Sequence, residues 1–509
     1  MIDSEYMKLQ NGSDVRGVAS EGIPGQHVNL TSQRVESIAK AFAAWLSDKT
    51  KGKDKLKISV GMDSRISGPA LKAAAIDGLL SAGCSVLDCG MASTPAMFMS
   101  TVMDGFDCDG AIMITASHLP FNRNGMKFFT RGGGLEKEEI TDILNKASQN
   151  KFNEPKTAGS VKTAELIRAY AKRLRDKIMQ ETGAEKPLDG FKIIVDAGNG
   201  AGGFFKNEVL EPIGADTCGS QFTEPDGHFP NHIPNPENKE AMDSISSAVV
   251  KNGADLGIIF DADVDRAGAV LKGGKEINRN ALIALMSAIV LDEHPRSIIV
   301  TDSVTSTGLK KFIEALGGIH HRFKRGYKNV IDEAIRLNKE GKGCYLAMET
   351  SGHGALYENY FLDDGAYLMT KIIIKMANLK KTGKSIESLI SMLPEPKEAK
   401  EFRMNLNCED FKEYGMKIID DLHEYAKRMD WDIAPDNYEG IRVSFDKENG
   451  DGWFLLRMSL HEPLMPLNIE SDSKGGVNII ASKVYEFLRR YRYLDTKILA
   501  GDSSASSHA

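Results

Sequence analysis

The stretch Leu256–Arg266, L-G-I-I-F-D-A-D-V-D-R, decides the fold, because an unbroken apolar run ends abruptly in a loop of alternating carboxylates. Short apolar runs bounded by polar turns are typical of buried strands in parallel sheets. Two other segments repeat the pattern. Ala111–Ile114 leads into T-A-S-H (115–118), and Cys344–Met348 leads into E-T-S-G-H (349–353).

Each of these strands follows an earlier strand and a helical stretch. The earlier strands begin alike, with K-I-S-V at 57–60, K-I-I-V at 192–195 and S-I-I-V at 297–300. This recurrence predicts three related α/β units. After about residue 395, two strands joined at Asn449-Gly450 and an amphipathic helix at about 475–494 predict a smaller domain.

We therefore expect an α/β protein with three related α/β domains, containing mixed sheets, and a smaller C-terminal α+β domain. The expected domains are residues 1–183, 184–294, 295–395 and 396–500, followed by a disordered tail at 501–509.

The composition is that of a globular protein with several domains. The 509 residues are 41% apolar and 27% charged, with a formal net charge of −7. This balance argues against nucleic acid or an anionic membrane as the main partner. The most hydrophobic stretch, Leu282–Leu291, is too short to span a bilayer. The six cysteines form no regular pattern. We expect a cytoplasmic protein with reduced, mostly buried thiols.

The three polar loops at equivalent strand ends predict one composite site, because ligands of open α/β sheets bind outside the carboxyl ends of strands. Asp261, Asp263 and Asp265 favour a hard cation such as Mg²⁺, which takes phosphate as a further ligand. An EF-hand is excluded, since Arg266 and Lys272 stand where Gly and Glu are required.

Ser117 is the candidate nucleophile. It lacks the G-x-S-x-G context of a hydrolase, and a serine facing a metal is better suited to carry phosphate than an acyl group. Lys127 is close enough in sequence to return to this loop. Glu349 and Ser351 offer the acceptors and donor that grip polyol hydroxyls.

Two other patterns are interpreted as structural. Gly198, Gly200 and Gly203 formally match G-x-G-x-x-G, but the other two units lack such glycines, which argues against a dinucleotide site. We expect His353 to be a satisfied loop histidine, and Asp363–Gly365 to form a turn and helix cap.

Together these segments resemble the α-D-phosphohexomutase superfamily, the phosphoglucomutases and phosphomannomutases. The matching segments, in chain order over nearly the whole length, are S-D-V-R-G, V-G-M-D-S-R-I-S-G, T-A-S-H-L-P-F-N-R-N-G-M-K, E-P-D-G-H-F-P-N-H-I-P-N-P, D-A-D-V-D-R, E-T-S-G-H and R-M-S-L-H-E-P. The resemblance implies four domains around a central cleft.

The resemblance also implies roles for residues. Ser117 would be a phosphoserine that completes an Mg²⁺ site with Asp261, Asp263 and Asp265. The implied catalytic residues are Ser117, Lys127, Arg16, His118 and Arg266. The implied substrate-binding residues are Glu349, Ser351, Lys328, Arg457, Ser459 and His461. Hexose mono- and bisphosphates would be the partners, with a hexose bisphosphate as a candidate activator and the oligomeric state left open.

The chain departs from the family pattern at two loops. Leu119 replaces the usual Asn of the serine loop, and R-M-S-L-H-E-P replaces R-x-S-G-T-E-P, with Pro466 near an expected Arg. Because of the altered loop, a glucose-1,6-bisphosphate synthase remains an alternative to a mutase. A catalytically silent sugar-phosphate sensor is the alternative of another class.

Overall fold

The computed structural model describes residues 4–50, 53, 55–152, 157–459 and 462–500. Two compact units form within it: residues up to 282 with 351–388, and residues 283–350 with 389 onward. No helix in the described part of the chain is long and apolar enough to cross a membrane. The helices are α1 (Ser4–Met7), α2 (Ser32–Lys49), α3 (Gly68–Ser81), α4 (Thr94–Met99), α5 (Lys137–Gln149), α6 (Leu166–Thr182), α7 (Lys239–Asn252), α8 (Arg279–Glu293), α9 (Thr307–Ala315), α10 (Tyr327–Lys339), α11 (Gly365–Lys380), α12 (Phe411–Arg428), α13 (Gly476–Leu488) and α14 (Lys497–Ala500).

The first unit contains a mixed sheet that carries the serine loop. Its strands are β1 (Gln10–Asn11), β2 (Asp14–Val18), β3 (Lys57–Met62), β4 (Ser85–Met91), β5 (Gly110–Ile114), β6 (Arg123–Thr130), β7 (Gly133–Gly134) and β8 (Ser160–Thr163). The main order is β1-β2-β6-β5-β3-β4-β8. Every residue of β5 is buried, which explains its continuous apolar run.

A second mixed sheet in the same unit carries the carboxylate loop. Its strands, β9 (Ile193–Asp196), β10 (Leu256–Phe260), β11 (Ala267–Leu271) and β12 (Lys275–Ile277), lie in the order β12-β11-β10-β9. Strands β9 and β10 are parallel, and β10 pairs with β11 in antiparallel register. The loop 261–266 is thus the tight connection between β10 and β11.

The hairpin of β16 (Gly354–Leu356) and β17 (Leu362–Asp363) completes this part of the first unit. Asp364 caps α11 by accepting from the Tyr367 backbone N–H, which confirms the expected helix cap. Tyr170 donates to the same carboxylate at 2.6 Å.

The second unit holds two further groups of strands. Strand β13 (Ile298–Asp302) pairs in parallel with β14 (Ile319–Phe323) and β15 (Cys344–Met348). The antiparallel sheet β18-β22-β21-β20-β19 is formed by β18 (Glu398–Asn405), β19 (Asp432–Ile433), β20 (Ile441–Phe445), β21 (Gly452–Leu456) and β22 (Leu464–Ser471).

The expected fold class, with three α/β domains and a fourth sheet-rich domain, is confirmed, while the exact domain boundaries remain predictions. The predicted C-terminal helix is real but ends at Leu488. Four of the six cysteines are buried, as expected. The predicted tail at 501–509 lies outside the described residues.

Candidate active site

Ser117 lies in a tight turn immediately after β5. Its backbone adopts the left-handed conformation, with φ of 50°, and its N–H donates to Thr115 Oγ1 at 2.9 Å. A non-glycine residue in this region costs about 1–3 kcal/mol and persists only where its surroundings enforce it. The strained turn thus holds Ser117, with its hydroxyl, in a buried position.

The carboxylate loop brings three acidic side chains together. Ligand oxygens of Asp261, Asp263 and Asp265 lie within 4.8 Å of one another, and all three residues are buried. The turn is completed at Val264, a β-branched residue with φ of 68°, which is an uncommon conformation. The conformation of this loop therefore brings the three carboxylates together.

These carboxylates fit a divalent cation. Oδ1 of Asp263 and Oδ1 of Asp265 are buried and have no hydrogen-bond partner in the described part of the chain. Such oxygens are costly unless an ion satisfies them, and an all-oxygen donor set suits a hard cation. Thr94 donates to the other oxygen of Asp263 at 2.5 Å and orients it.

The serine and carboxylate loops meet directly. Ser117 Oγ donates to Asp261 Oδ2 at 2.8 Å and accepts from Arg266 Nη2 at 2.9 Å. Arg266 Nε is 3.0 Å from the same Asp261 oxygen. Residues 144 positions apart thus form one charged cluster.

Two further cations face the cluster. Lys127 Nζ lies 3.2 Å from Asp265 and 3.5 Å from Asp14. Arg16 donates to the Thr115 carbonyl at 2.5 Å and to Asp14 at 2.8 Å. The prediction that Lys127 returns to the serine loop is consistent with this arrangement.

Buried charges shift the pKa values of the cluster. Burial alone would raise the pKa of Asp265, but neighbouring cations, Lys127 foremost, lower it below its ordinary value. Burial, followed by the charges of Arg266 and Arg16, lowers the pKa of His118 to about 2. His118 is therefore neutral, and because Arg266 can only donate, its contact with Nδ1 leaves the proton on Nε2.

His353 is part of the cluster and is more than a satisfied loop histidine. Its Nδ1 contacts Asp363, as expected for a satisfied ring, but a ring nitrogen of His353 also lies within 4.8 Å of an Asp265 oxygen. Burial would lower its pKa, whereas Asp363 and Asp265 raise it to about 9. The sequence signal was its position two residues beyond Ser351 in E-T-S-G-H.

The remaining expected site residues fall into two groups. Ser351 is buried in the first unit. In the second unit, buried Glu349 accepts from the Gly326 N–H at 2.6 Å, and Lys328 pairs with Asp332 at 3.6 Å. Arg457 is buried with its Nε unpartnered among the described residues.

Ser459 is part of the same unit, with its N–H donating to the Leu464 carbonyl at 2.9 Å. His461 lies outside the described residues.

Sequence reasoning missed the residues that support the cluster from neighbouring loops. Thr94, which orients Asp263, belongs to none of the segments that the resemblance uses. Asn235 accepts from Arg266 Nη1 at 3.4 Å, and Glu237 lies 4.0 Å from the same guanidinium. The segment E-P-D-G-H-F-P-N-H-I-P-N-P contains Asn235 and ends one residue before Glu237, and it was the only sequence signal for this support.

The glycine motif also supports this cluster. A Cβ at Gly200 would lie 2.6 Å from the Ala262 backbone, and a Cβ at Gly203 would lie 2.3 Å from the Thr223 carbonyl. The Ala201 N–H donates to the Ala262 carbonyl at 2.8 Å. These close approaches account for the glycines without a dinucleotide.

Three family models match consecutive parts of the chain: phosphoglucomutase/phosphomannomutase alpha/beta/alpha domain I over residues 7–154, domain II over 168–274 and domain III over 278–396. They define the class as an enzyme family built from repeated α/β/α domains.

Individual relatives agree with the family models. A Pseudomonas putida phosphomannomutase/phosphoglucomutase is 32% identical, covering 83% of this chain and 85% of the relative. A Thermococcus kodakarensis phosphoglucomutase/phosphomannomutase is also 32% identical, covering 92% and 95%. The crystal structure of a Burkholderia thailandensis family member gives a TM-score of 0.79 at 27% identity, covering 97% and 98%. The chain belongs to the phosphoglucomutase/phosphomannomutase family.

Proposed function

We propose that this protein is a phosphohexomutase that moves a phosphoryl group between the 1- and 6-positions of a hexose phosphate through Ser117. The observation that carries the proposal is the 2.8 Å hydrogen bond from Ser117 Oγ to Asp261, within the buried carboxylate triad. A serine hydroxyl at a divalent-cation site is suited to carry phosphate.

In the proposed reaction, Ser117 begins each cycle as a phosphoserine. The phosphoryl group leaves Oγ for a free hydroxyl of a hexose monophosphate, the P–O bond to serine breaks and a new P–O bond to sugar forms. The bisphosphate then returns its other phosphoryl group to Oγ, and the isomerised monophosphate leaves. No phosphoryl group is gained or lost overall.

Mg²⁺ is the proposed ion, held by Asp261, Asp263 and Asp265, and when bound it supplies charge neutralisation for the transferring group. Phosphoserine carries about −2 and the three carboxylates −3, so the site remains at about −3 with the ion present. Transfer through a loose transition state depends on offsetting such charge.

The cations of the chain meet that requirement. Arg266 contacts Ser117 Oγ directly, and we assign it to the equatorial phosphoryl oxygens. Arg16 and Lys127 add positive charge on the β2 and β6 side of the cluster. Lys127, which is 7% exposed at its side chain, is the proposed general acid and base for the sugar hydroxyl.

Substrate recognition is proposed for residues beyond the charged cluster. Glu349 and Ser351 would hold sugar hydroxyls, and Lys328 would also bind the substrate. Arg457, Ser459 and His461 would bind the phosphate that is not being transferred. Arg457 Nε has no acceptor among the residues that the structure describes, which supports this role, because a buried guanidinium donor normally has one.

The test is turnover of glucose 1-phosphate by the purified protein, followed by phosphorus NMR, with and without added hexose bisphosphate and Mg²⁺. A mutase gives glucose 6-phosphate and needs only catalytic bisphosphate. Net accumulation of glucose 1,6-bisphosphate from a bisphosphorylated donor would instead indicate a synthase. Binding without any turnover would indicate a sensor and contradict the proposal.

A further inference from the structure

The segment V-G-M-D-S-R-I-S-G, at the end of β3, has no role in the proposed chemistry, yet its arginine is among the most buried side chains of the protein. Arg65 is 0% exposed. A guanidinium is always charged and has five donors, so full burial requires several acceptors.

Those acceptors belong to one loop. Arg65 Nη2 donates to the carbonyls of Ser117 and, at 2.6 Å, Leu119. Its Nη1 donates to the carbonyls of Pro120 at 2.8 Å and Arg123 at 3.0 Å. One side chain therefore holds four backbone carbonyls of the seven residues that begin with the nucleophile.

Asp63 supports the same loop from its other side. Its Oδ2 is 3.3 Å from Arg65 Nε and accepts from Thr115 Oγ1 at 2.7 Å. The Thr115 hydroxyl oxygen in turn accepts from the Ser117 N–H at 2.9 Å. The pair Asp63 and Arg65 thus contacts both flanks of the strained turn.

We propose that Arg65, together with Asp63, is a positioning pair that forces Ser117 into its left-handed conformation and so aims Oγ at the metal-binding carboxylates. A serine is less stable in the left-handed conformation than in the ordinary helical or extended ones, so contacts that fix its carbonyl and N–H are needed to hold it there, and they determine where Oγ points. This inference rests on the proposed function, because its consequence is a faster phosphoryl transfer.

A lysine cannot replace this guanidinium. The ammonium is a point donor with three hydrogens, whereas the four carbonyls are bound by two separate nitrogens of a planar fork. Arg65→Lys keeps the positive charge but loses the simultaneous hydrogen bonds to the four carbonyls. The side chain touches no reacting atom, so the variant should alter transfer more than substrate binding.

The experiment compares wild-type protein with Arg65→Lys, using Arg175→Lys as the matched control. Arg175 also donates to a backbone carbonyl, that of Glu208, outside the serine loop. We expect Arg65→Lys to lower kcat by about 10²-fold with little change in KM. Transfer of a phosphoryl group from glucose 1,6-bisphosphate to Ser117, measured by the intact mass of the protein, should slow in parallel. The control should keep its kcat.

A folded Arg65→Lys protein with wild-type kcat and phosphate uptake would overturn the inference, as would an equal loss in Arg175→Lys. If Arg65→Lys does not fold, Asp63→Asn decides, because it is isosteric and leaves Arg65 in place. A lowered kcat at unchanged KM supports the pair, and unchanged kcat rejects it.

The proposed function fails separately if wild-type protein neither turns over hexose phosphates nor takes up phosphate. A crystal structure of Arg65→Lys then tests the positioning role alone. A changed path of residues 115–123 and loss of the positive φ at Ser117 support the role, whereas an unchanged loop overturns it.

Discussion

At the scale of single residues, the site depends on buried carboxylate oxygens to which no donor in the described ranges of the chain forms a hydrogen bond. Asp263 and Asp265 each have one such oxygen, and their neighbours on the same loop are equally buried. Mutual repulsion of these carboxylates disfavours the folded state, so a bound cation should stabilise it.

Asp263→Asn tests this reading. We expect the variant to lose the dependence of activity on Mg²⁺ and the rise in Tm that Mg²⁺ causes in the wild type. Folding without metal should be unchanged or improved, because one buried negative charge is removed. Calorimetric Mg²⁺ titration and thermal unfolding measure both effects. Asp243→Asn, at an exposed position of α7, is the control, and a Mg²⁺ response equal to wild type in Asp263→Asn would refute the metal assignment.

Thr94→Val tests whether a residue that is not itself a metal ligand strengthens the binding of Mg²⁺. The hydroxyl of Thr94 fixes one oxygen of Asp263, and its loss should weaken Mg²⁺ affinity by roughly 10–100-fold. Valine keeps the shape, so the CD spectrum should be unchanged. Mg²⁺ titration of activity is the measurement, and an unaltered half-saturation concentration would show that Thr94 has no such role.

At the scale of elements, the turn after β9 sets the position of the carboxylate loop. Gly200 and Ala262 are in backbone contact, and Cβ at position 200 would be 2.6 Å from Ala262 Cα. Gly200→Ala should therefore displace the loop, costing about 1–3 kcal/mol of stability and weakening Mg²⁺ binding. Gly132→Ala, where the nearest atom is 3.5 Å away, is the control. Equal stability and Mg²⁺ affinity in both variants would disprove the contact.

A buried ion pair anchors the segment that supports Arg266. His232 Nε2 lies 3.0 Å from Asp196 Oδ2, and its Nδ1 is 2.9 Å from the Ile233 carbonyl, so both ring nitrogens act as donors. Burial would lower the pKa of His232, but Asp196 and, to a smaller extent, the Ile233 carbonyl and Glu240 raise it above its ordinary value.

Because the folded pKa exceeds the unfolded value of about 6.5, the pair stabilises fully below pH 6.5, and this stabilisation is lost as pH rises through the folded pKa. His232→Gln should cost about 3 kcal/mol at pH 6 and progressively less at higher pH. Urea unfolding at several pH values measures the difference. A cost that grows with pH would contradict the protonated pair.

At the scale of the whole molecule, the sequence predicted the architecture because each α/β domain repeats one order of strand, helix and strand. It also predicted that Ser117 and the carboxylates meet, since ligands bind outside the carboxyl ends of strands and the two loops follow equivalent strands of different units. The supporting contacts of Thr94 and Arg65 could not be predicted. They join residues 169 and 52 positions apart through hydrogen bonds that leave no periodic pattern in the sequence.

The contacts of His353 also could not be predicted from the sequence. Its sequence context is equally typical of an ordinary loop histidine, and only the hairpin β16-β17 places Asp363 beside it. A sequence pattern indicates which strand ends carry chemistry. It does not indicate which neighbours fix the charge and direction of each side chain.

The central claim is that Ser117 carries the phosphoryl group between sugar phosphates. Peptide mapping by mass spectrometry, after incubation with glucose 1,6-bisphosphate, tests it most directly. The account predicts one phosphate on Ser117 that is discharged by added hexose monophosphate and is absent from an inactive Ser117→Ala variant. Phosphate on another residue, or full turnover by Ser117→Ala, would contradict it.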